Sequence, residues 1–125
     1  MSAERVGGRN WVTTAIAIAV ALSGVQHLIQ AMTGMRGAGD PQMLIVEHVD
    51  VALFSFVAVY GIMRGRWWAP WAIAVAGLAT AVLVVSLGPL LHLDAASRSG
   101  LWSGAVFILV LAALGAWYVR RSLSS

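Results

Sequence analysis

Four apolar runs of about twenty residues each, parted by short polar connections, decide most of what this chain can fold into. They cover residues 11–31, 43–63, 70–91 and 101–119. A helix of that length crosses a hydrocarbon core of about 30 Å. Lipid offers no hydrogen bonds, so every backbone N–H and C=O in it needs a partner within the protein. A helix meets that demand alone, and an open strand does not. The connections, residues 32–42, 64–69 and 92–100, are short enough that neighbouring spans run antiparallel. The expected fold class is all-α: a single integral membrane domain, residues 1–125, forming an up-down four-helix bundle.

Composition removes the other classes. Only 10% of the residues are charged and 60% are apolar, whereas soluble domains carry about 25% charge. No segment has the low hydrophobicity and high charge of a disordered tail. Cysteine is absent, which excludes disulfides, thiolate metal sites and thiol catalysis by this chain. The net charge of +3 does not mark a nucleic-acid partner, because the arginines form small clusters between the apolar runs and not one basic face.

Those arginines set an expected orientation. Arg5, Arg9, Arg64, Arg66, Arg120 and Arg121 fall on one side of the membrane, and only Arg36 and Arg98 on the other. The positive-inside rule then places both termini in the cytoplasm, as for a protein of the bacterial inner membrane. Trp11, Trp67, Trp68, Trp71, Trp117 and Tyr118 belong to the cytoplasmic interface, and Trp102 to the outer one. A competing reading takes Arg5, Arg9, the run from Trp11 and Ala19-Val20-Ala21 as a signal peptide, with residues 1–21 cleaved. Continuation of the apolar run to Ala31 favours a retained span.

Packing in lipid relies on small residues that let backbones approach. Gly77, Ala81, Val84 and Gly88 form such a face on the third span. Gly104, Ala112 and Gly115 offer one on the fourth, and alanines 15, 17, 19 and 21 on the first. Arg64-Gly65-Arg66 reads as a turn, Asp40 and Asp94 as loop or cap residues. Pro89 predicts a kink or an early end to the third helix.

Ionisable residues in membrane spans are the candidates for function. His27, Glu47, His48, Asp50, His92 and Asp94 all map toward the extracytoplasmic leaflet. Ser23, Gln26, His27 and Gln30 share one stripe at i, i+3, i+4 and i+7, expected to face the bundle. Glu47 and Asp50 share a face of the second helix and are expected inside, with His48 turned toward the headgroups. The ligand-binding or proton-carrying set is thus His27, Glu47, Asp50, Gln30 and Ser23. His27, His48 and His92 are the candidates for zinc, copper or iron, or for axial ligation of haem. No H-E-x-x-H, P-loop or serine-elbow pattern occurs.

Three elements also resemble the DoxX-like family of small four-helix membrane proteins. They are Ser23-Gly24-Val25-Gln26-His27-Leu28, Glu47, and Tyr60-Gly61-Ile62-Met63-Arg64-Gly65-Arg66. The resemblance implies an accessory subunit or partner of quinone-linked or thiol redox systems, with His27 and Glu47 at its site. The functional expectation is a module binding a lipid-soluble ligand such as quinone, with a membrane redox partner or as a homo-oligomer. The alternatives are a proton-coupled small transporter acting as an oligomer, a haem or metal subunit, and a membrane enzyme using a carboxylic acid and a histidine.

Overall fold

The computed structural model describes residues 10–36 and 42–124. Arg5, Arg9 and Asp40 lie outside the described residues. Four helices follow in order: α1 (Trp11–Arg36), α2 (Gln42–Met63), α3 (Ala69–Leu90) and α4 (Ala95–Ser124). Each is long and apolar enough to cross a membrane. Consecutive helices pack against one another up and down, whereas α1 and α4 barely touch. The start of α1 and the end of α4 therefore share one end of the bundle, the terminal end. The α1–α2 and α3–α4 connections lie at the far end.

Helix limits follow local hydrogen-bond chemistry. Asn10 caps α1: its Oδ1 accepts from the N–H groups of Val12 and Thr13, both at 3.0 Å. Thr13 Oγ1 returns the favour by accepting from the Asn10 N–H at 2.8 Å, a reciprocal cap. Asp94 caps α4, accepting from the Ser97 N–H at 2.8 Å. The backbone N–H and the side chain of Ser97 hold the Asp94 carboxyl below its usual range. That cap starts α4 six residues before the apolar run at 101 and gives a helix of 30 residues. At 1.5 Å per residue this is about 45 Å, longer than the hydrocarbon core. The exposed first turns, Ala95–Gly100, account for part of the excess.

The turn between α2 and α3 is a Schellman closure. The Arg66 N–H reaches Gly61 O at 2.9 Å and the Gly65 N–H reaches Ile62 O at 3.2 Å. Gly65 takes a φ of 59°, which costs glycine nothing for want of a Cβ. Pro89 sits in the last turn of α3, which ends one residue later.

The α1–α2 contact has a seven-residue rhythm. Thr13, Ala17, Gly24, His27, Ala31 and Gly34 are buried on α1, with half-buried Val20 at the remaining position of the 4-3 spacing. Leu44, His48, Val51, Ser55, Ala58 and Ile62 are buried on α2 at the same spacing. This is the periodicity of helices crossing at a shallow angle. Most of these side chains are small, so the backbones come close. A Cβ added to Gly24 would lie 3.1 Å from both Ser55 Cβ and Phe56 Cε1.

The expected small-residue face of α3 also packs. Gly77, Ala81 and Gly88 are buried and Val84 half-buried. Gly77 sits directly on Ala112 of α4, and Gly88 lies under the Arg98 side chain. The other alanine and glycine stripes contribute less. Ala17 is buried but Ala15 and Ala19 are exposed, and no atom lies within 4 Å of where a Gly104 Cβ would stand. Two apolar clusters complete the core. One, toward the terminal end, includes Ala17, Ala58, Ile62, Ile73 and Val119. The other joins Leu44, Val51 and Leu83.

A methyl group at Gly77 would collide with Ala112 and push α3 from α4. Gly77→Ala should destabilise the bundle by about 1–3 kcal/mol, the usual cost of overpacking. Thermal unfolding in detergent should show the loss, while Gly104→Ala leaves the melting temperature unchanged. Equal effects of the two substitutions would refute the close α3–α4 contact.

Candidate functional site

The polar residues expected to converge at one end fall instead into three separate places. The first is the α1–α2 seam, where the imidazoles of His27 and His48 face each other. Their ring centroids are 5.3 Å apart and the planes are inclined by 39°. Both residues are buried, at 8% and 7% exposure. His27 Nδ1 donates to the Ser23 carbonyl one turn back at 2.8 Å. The ring orientation and the tautomer follow from that bond, and a neutral His27 presents Nε2 as an acceptor. His48 was expected at the headgroups and lies inside. It occupies a seam position, and Asp50, two residues on, is rotated about 200° away.

The second place is a groove of about 290 Å³ between α2 and α3, which Glu47 and Asp50 line together with Phe54 and Val82. Asp50 is exposed there, not interior as expected, and Glu47 is half-buried. Ser86 of α3, which sequence reasoning missed, donates to Glu47 Oε1 at 3.0 Å. The same hydroxyl is 2.8 Å from Val82 O, so one hydrogen faces two acceptors. The contact therefore accommodates a carboxylate accepting from Ser86 or a carboxylic acid donating to it, without moving a heavy atom. Glu47 Oε2 is buried and has no hydrogen-bond partner among the described residues. The signal in the sequence was available: Thr80 and Ser86 are the two hydroxyl residues of α3.

His92 is the third. It is exposed and occupies the left-handed position just beyond α3, with φ 56°. The His92 N–H reaches Pro89 O at 3.3 Å and the Leu93 N–H reaches Gly88 O at 2.8 Å, the same closure that Gly65 makes after α2. His92 thus closes a helix. Among the described residues no three His, Asp or Glu side chains gather as a metal site would require. Nor do the facing histidines suit haem, because a macrocycle does not fit between rings 5.3 Å apart. Gln26 and Gln30 point away from the bundle, so the four-residue stripe of α1 is divided. Only His27 and Ser23 of that stripe turn inward.

Ser23 belongs to the feature that the sequence did not disclose. Near the terminal end α1 is tied to α4 by a bond from Asn10 Nδ2 to the Tyr118 hydroxyl at 3.2 Å. Beyond that tie the two helices border a cleft of about 390 Å³ whose walls come from all four helices. Its lining is apolar apart from Ser23, Ser55 and Thr80. Each of these hydroxyl residues lies within one turn of the middle of its helix, so the cleft sits at mid-height. Ser55 is buried in the α1–α2 seam, and Thr80 donates to Ala76 O at 2.7 Å, leaving its lone pairs toward other donors.

Nothing matches this chain among family models, curated proteins or solved structures. The likeness to the DoxX-like family therefore rests on the three short motifs alone. Two of their residues, His27 and Glu47, stand in different places here, one in the α1–α2 seam and the other in the α2–α3 groove.

The position of His92 yields a direct test. A left-handed backbone strains any residue with a Cβ, so His92→Gly should stabilise the protein by up to about 1 kcal/mol. Metal content should not change, measured on the same purified samples. A large loss of stability, or loss of a bound metal, would show that the imidazole has a role beyond the turn.

Proposed function

We propose that this is a membrane module that holds a lipid-soluble ligand with few polar groups, such as a quinone, in the four-helix cleft. The observation that carries the reading is the cleft itself. It is apolar, about 390 Å³, bordered by α1 and α4 where they are not packed together, and marked at mid-height by three hydroxyl residues. Ligand sites are of this kind: several hundred Å³, largely apolar, with a few polar groups that fix orientation. A ligand from the bilayer would enter sideways between α1 and α4, needing no aqueous path. Ser23 and Ser55 would donate to its carbonyl oxygens, Thr80, whose hydrogen goes to Ala76 O, would accept from a hydroxyl of the reduced form, and His27, one turn from Ser23, would stand above it. Glu47 and Asp50 would serve in this reading as a separate acidic groove and not as anchors of the ligand.

Binding of a short-chain ubiquinone analogue to protein in nanodiscs tests the proposal. Ala19→Phe fills the cleft from an exposed wall position and should abolish binding. Ser23→Ala removes a hydroxyl whose hydrogen is free for the quinone carbonyl and should weaken binding about three- to tenfold, the worth of one hydrogen bond. Asp50→Asn lies outside the cleft and should leave affinity unchanged. Unaltered affinity in both cleft variants, with melting curves intact, would defeat the reading.

The same proposal sets the terminal end in the cytoplasm of a bacterial inner membrane, supported by Arg64, Arg66, Arg120 and Arg121 at that end against Arg36 and Arg98 at the other. The chain contains no cysteine, so single cysteines report cleanly. A membrane-impermeant maleimide added to intact cells should label Ser99→Cys and spare Ser124→Cys. The opposite pattern would invert the topology.

A further inference from the structure

At the terminal end, α3 and α4 form a groove of about 410 Å³ that the ligand cleft does not use. Its walls are Trp67 in the turn before α3, Pro70 and Trp71 in the first turn of α3, and Trp117 and Arg120 near the end of α4, with Ala74 and Ala116 among its smaller lining residues. The tryptophans are exposed, at 78%, 68% and 55% respectively. Small residues between large rings leave an opening, and Arg120 lines it.

Charge says what would enter. Among the described residues the acids are Glu47, Asp50 and Asp94; Glu47 and Asp94 lie toward the far end and Asp50 within one turn of the middle of α2, so none is at the terminal end. The terminal end carries Arg64, Arg66, Arg120 and Arg121 with no carboxylate among the described residues to offset them. Arg64 lies over Tyr60 at 5.8 Å, away from the groove, and Arg121 lies over Trp117, one of the groove's own rings, at 5.1 Å. Arg120 lines the groove. The start of α3 adds to the field, because it has neither a side-chain cap nor an acidic residue in its first turn. Its backbone offers few donors, because the Ala69 N–H is bonded to Arg66 O at 3.0 Å and Pro70 has none, so the helix end contributes a dipole field and not a bonding site.

We infer that this groove binds the headgroup of an anionic phospholipid, with the phosphate against Arg120. The indole rings would frame the glycerol region, where tryptophan prefers to lie. Basic pockets between membrane helices recognise acidic headgroups by this combination of charge and depth. The occupant is a lipid because exposed tryptophans, which favour the membrane interface, frame the groove at the end of two helices long and apolar enough to span a bilayer. Its aromatic walls are suited to the apolar flank of a headgroup, and free phosphate would have no use for them. The inference is independent of the ligand proposed for the central cleft.

Native mass spectrometry of protein released from nanodiscs gives the test. In discs of mixed phosphatidylglycerol and phosphatidylcholine, the protein should retain phosphatidylglycerol preferentially, and millimolar inorganic phosphate should not displace it. Arg120→Gln should lower retention about fivefold, the contribution of one basic residue at such a surface. Arg64→Gln, a change of equal charge outside the groove, should retain the lipid as the unmodified protein does. Arg120→Lys should recover part of the loss, separating charge from any effect on folding. Equal losses in Arg64→Gln and Arg120→Gln, or equal retention of the zwitterionic lipid, would reduce the site to a diffuse interfacial belt and overturn the inference. Displacement by phosphate would also overturn it.

Discussion

Close backbone contact between α1 and α2, made possible by small residues every seven positions, is the constraint from which the rest of the arrangement follows. In lipid an apolar side chain gains nothing by leaving one hydrocarbon neighbour for another, so packing distance and polar contacts hold helices together. Ala17, Gly24 and Ala31 recur at intervals of seven on α1 and meet Ser55, Ala58 and their neighbours on α2. That seam places His27 and His48 face to face, since each occupies a position in the same repeat. It also turns Asp50 outward, because a helix that buries position 48 exposes position 50.

A second close contact, Gly77 on Ala112, fixes α4 against α3 in the same manner. The α1–α4 pair has no comparable run of contacts. Asn10 and Tyr118 join them at the terminal end, and beyond that tie the cleft remains. Its hydroxyl residues arrive from three helices, which explains why no local motif announces them. The cleft is thus the complement of the packing: helices held tightly along three interfaces leave the fourth available.

Misreadings of the polar residues share one physical origin. On a soluble helix, burial follows hydrophobicity, and a polar stripe marks the outer face. On a membrane helix nearly every position is apolar, and the amphipathic signal is almost flat. Placing Glu47 and Asp50 inside assumed that lipid would reject them. The structure settles Glu47 through Ser86 in a groove and leaves Asp50 exposed, two helical turns beyond Met43. The more useful guide was the rhythm of small residues on α2, Ala52, Ser55, Ala58 and Gly61, which marks the packed face without regard to charge. His92 follows a different logic. Its role is set by backbone conformation, and the Gly65 turn shows the same closure with the residue that usually supplies it.

By itself the sequence determined the number of helices, the limits of α2 and α3 to within one residue and those of α1 and α4 to within six, their up-down order and the turn at Gly65. Each follows from apolar run length, backbone hydrogen bonding in lipid and short connections, all of which are local. The small-residue face of α3 was legible for the same reason. Only the tertiary structure decided which side of each helix is buried, that His27 meets His48, that Ser86 finds Glu47, and that α1 and α4 leave a cleft between them. Those outcomes depend on rotation about each helix axis, and in a chain that is apolar all round, hydrophobicity hardly distinguishes one rotation from another. Contact between small residues does, and it becomes visible only once two helices are side by side.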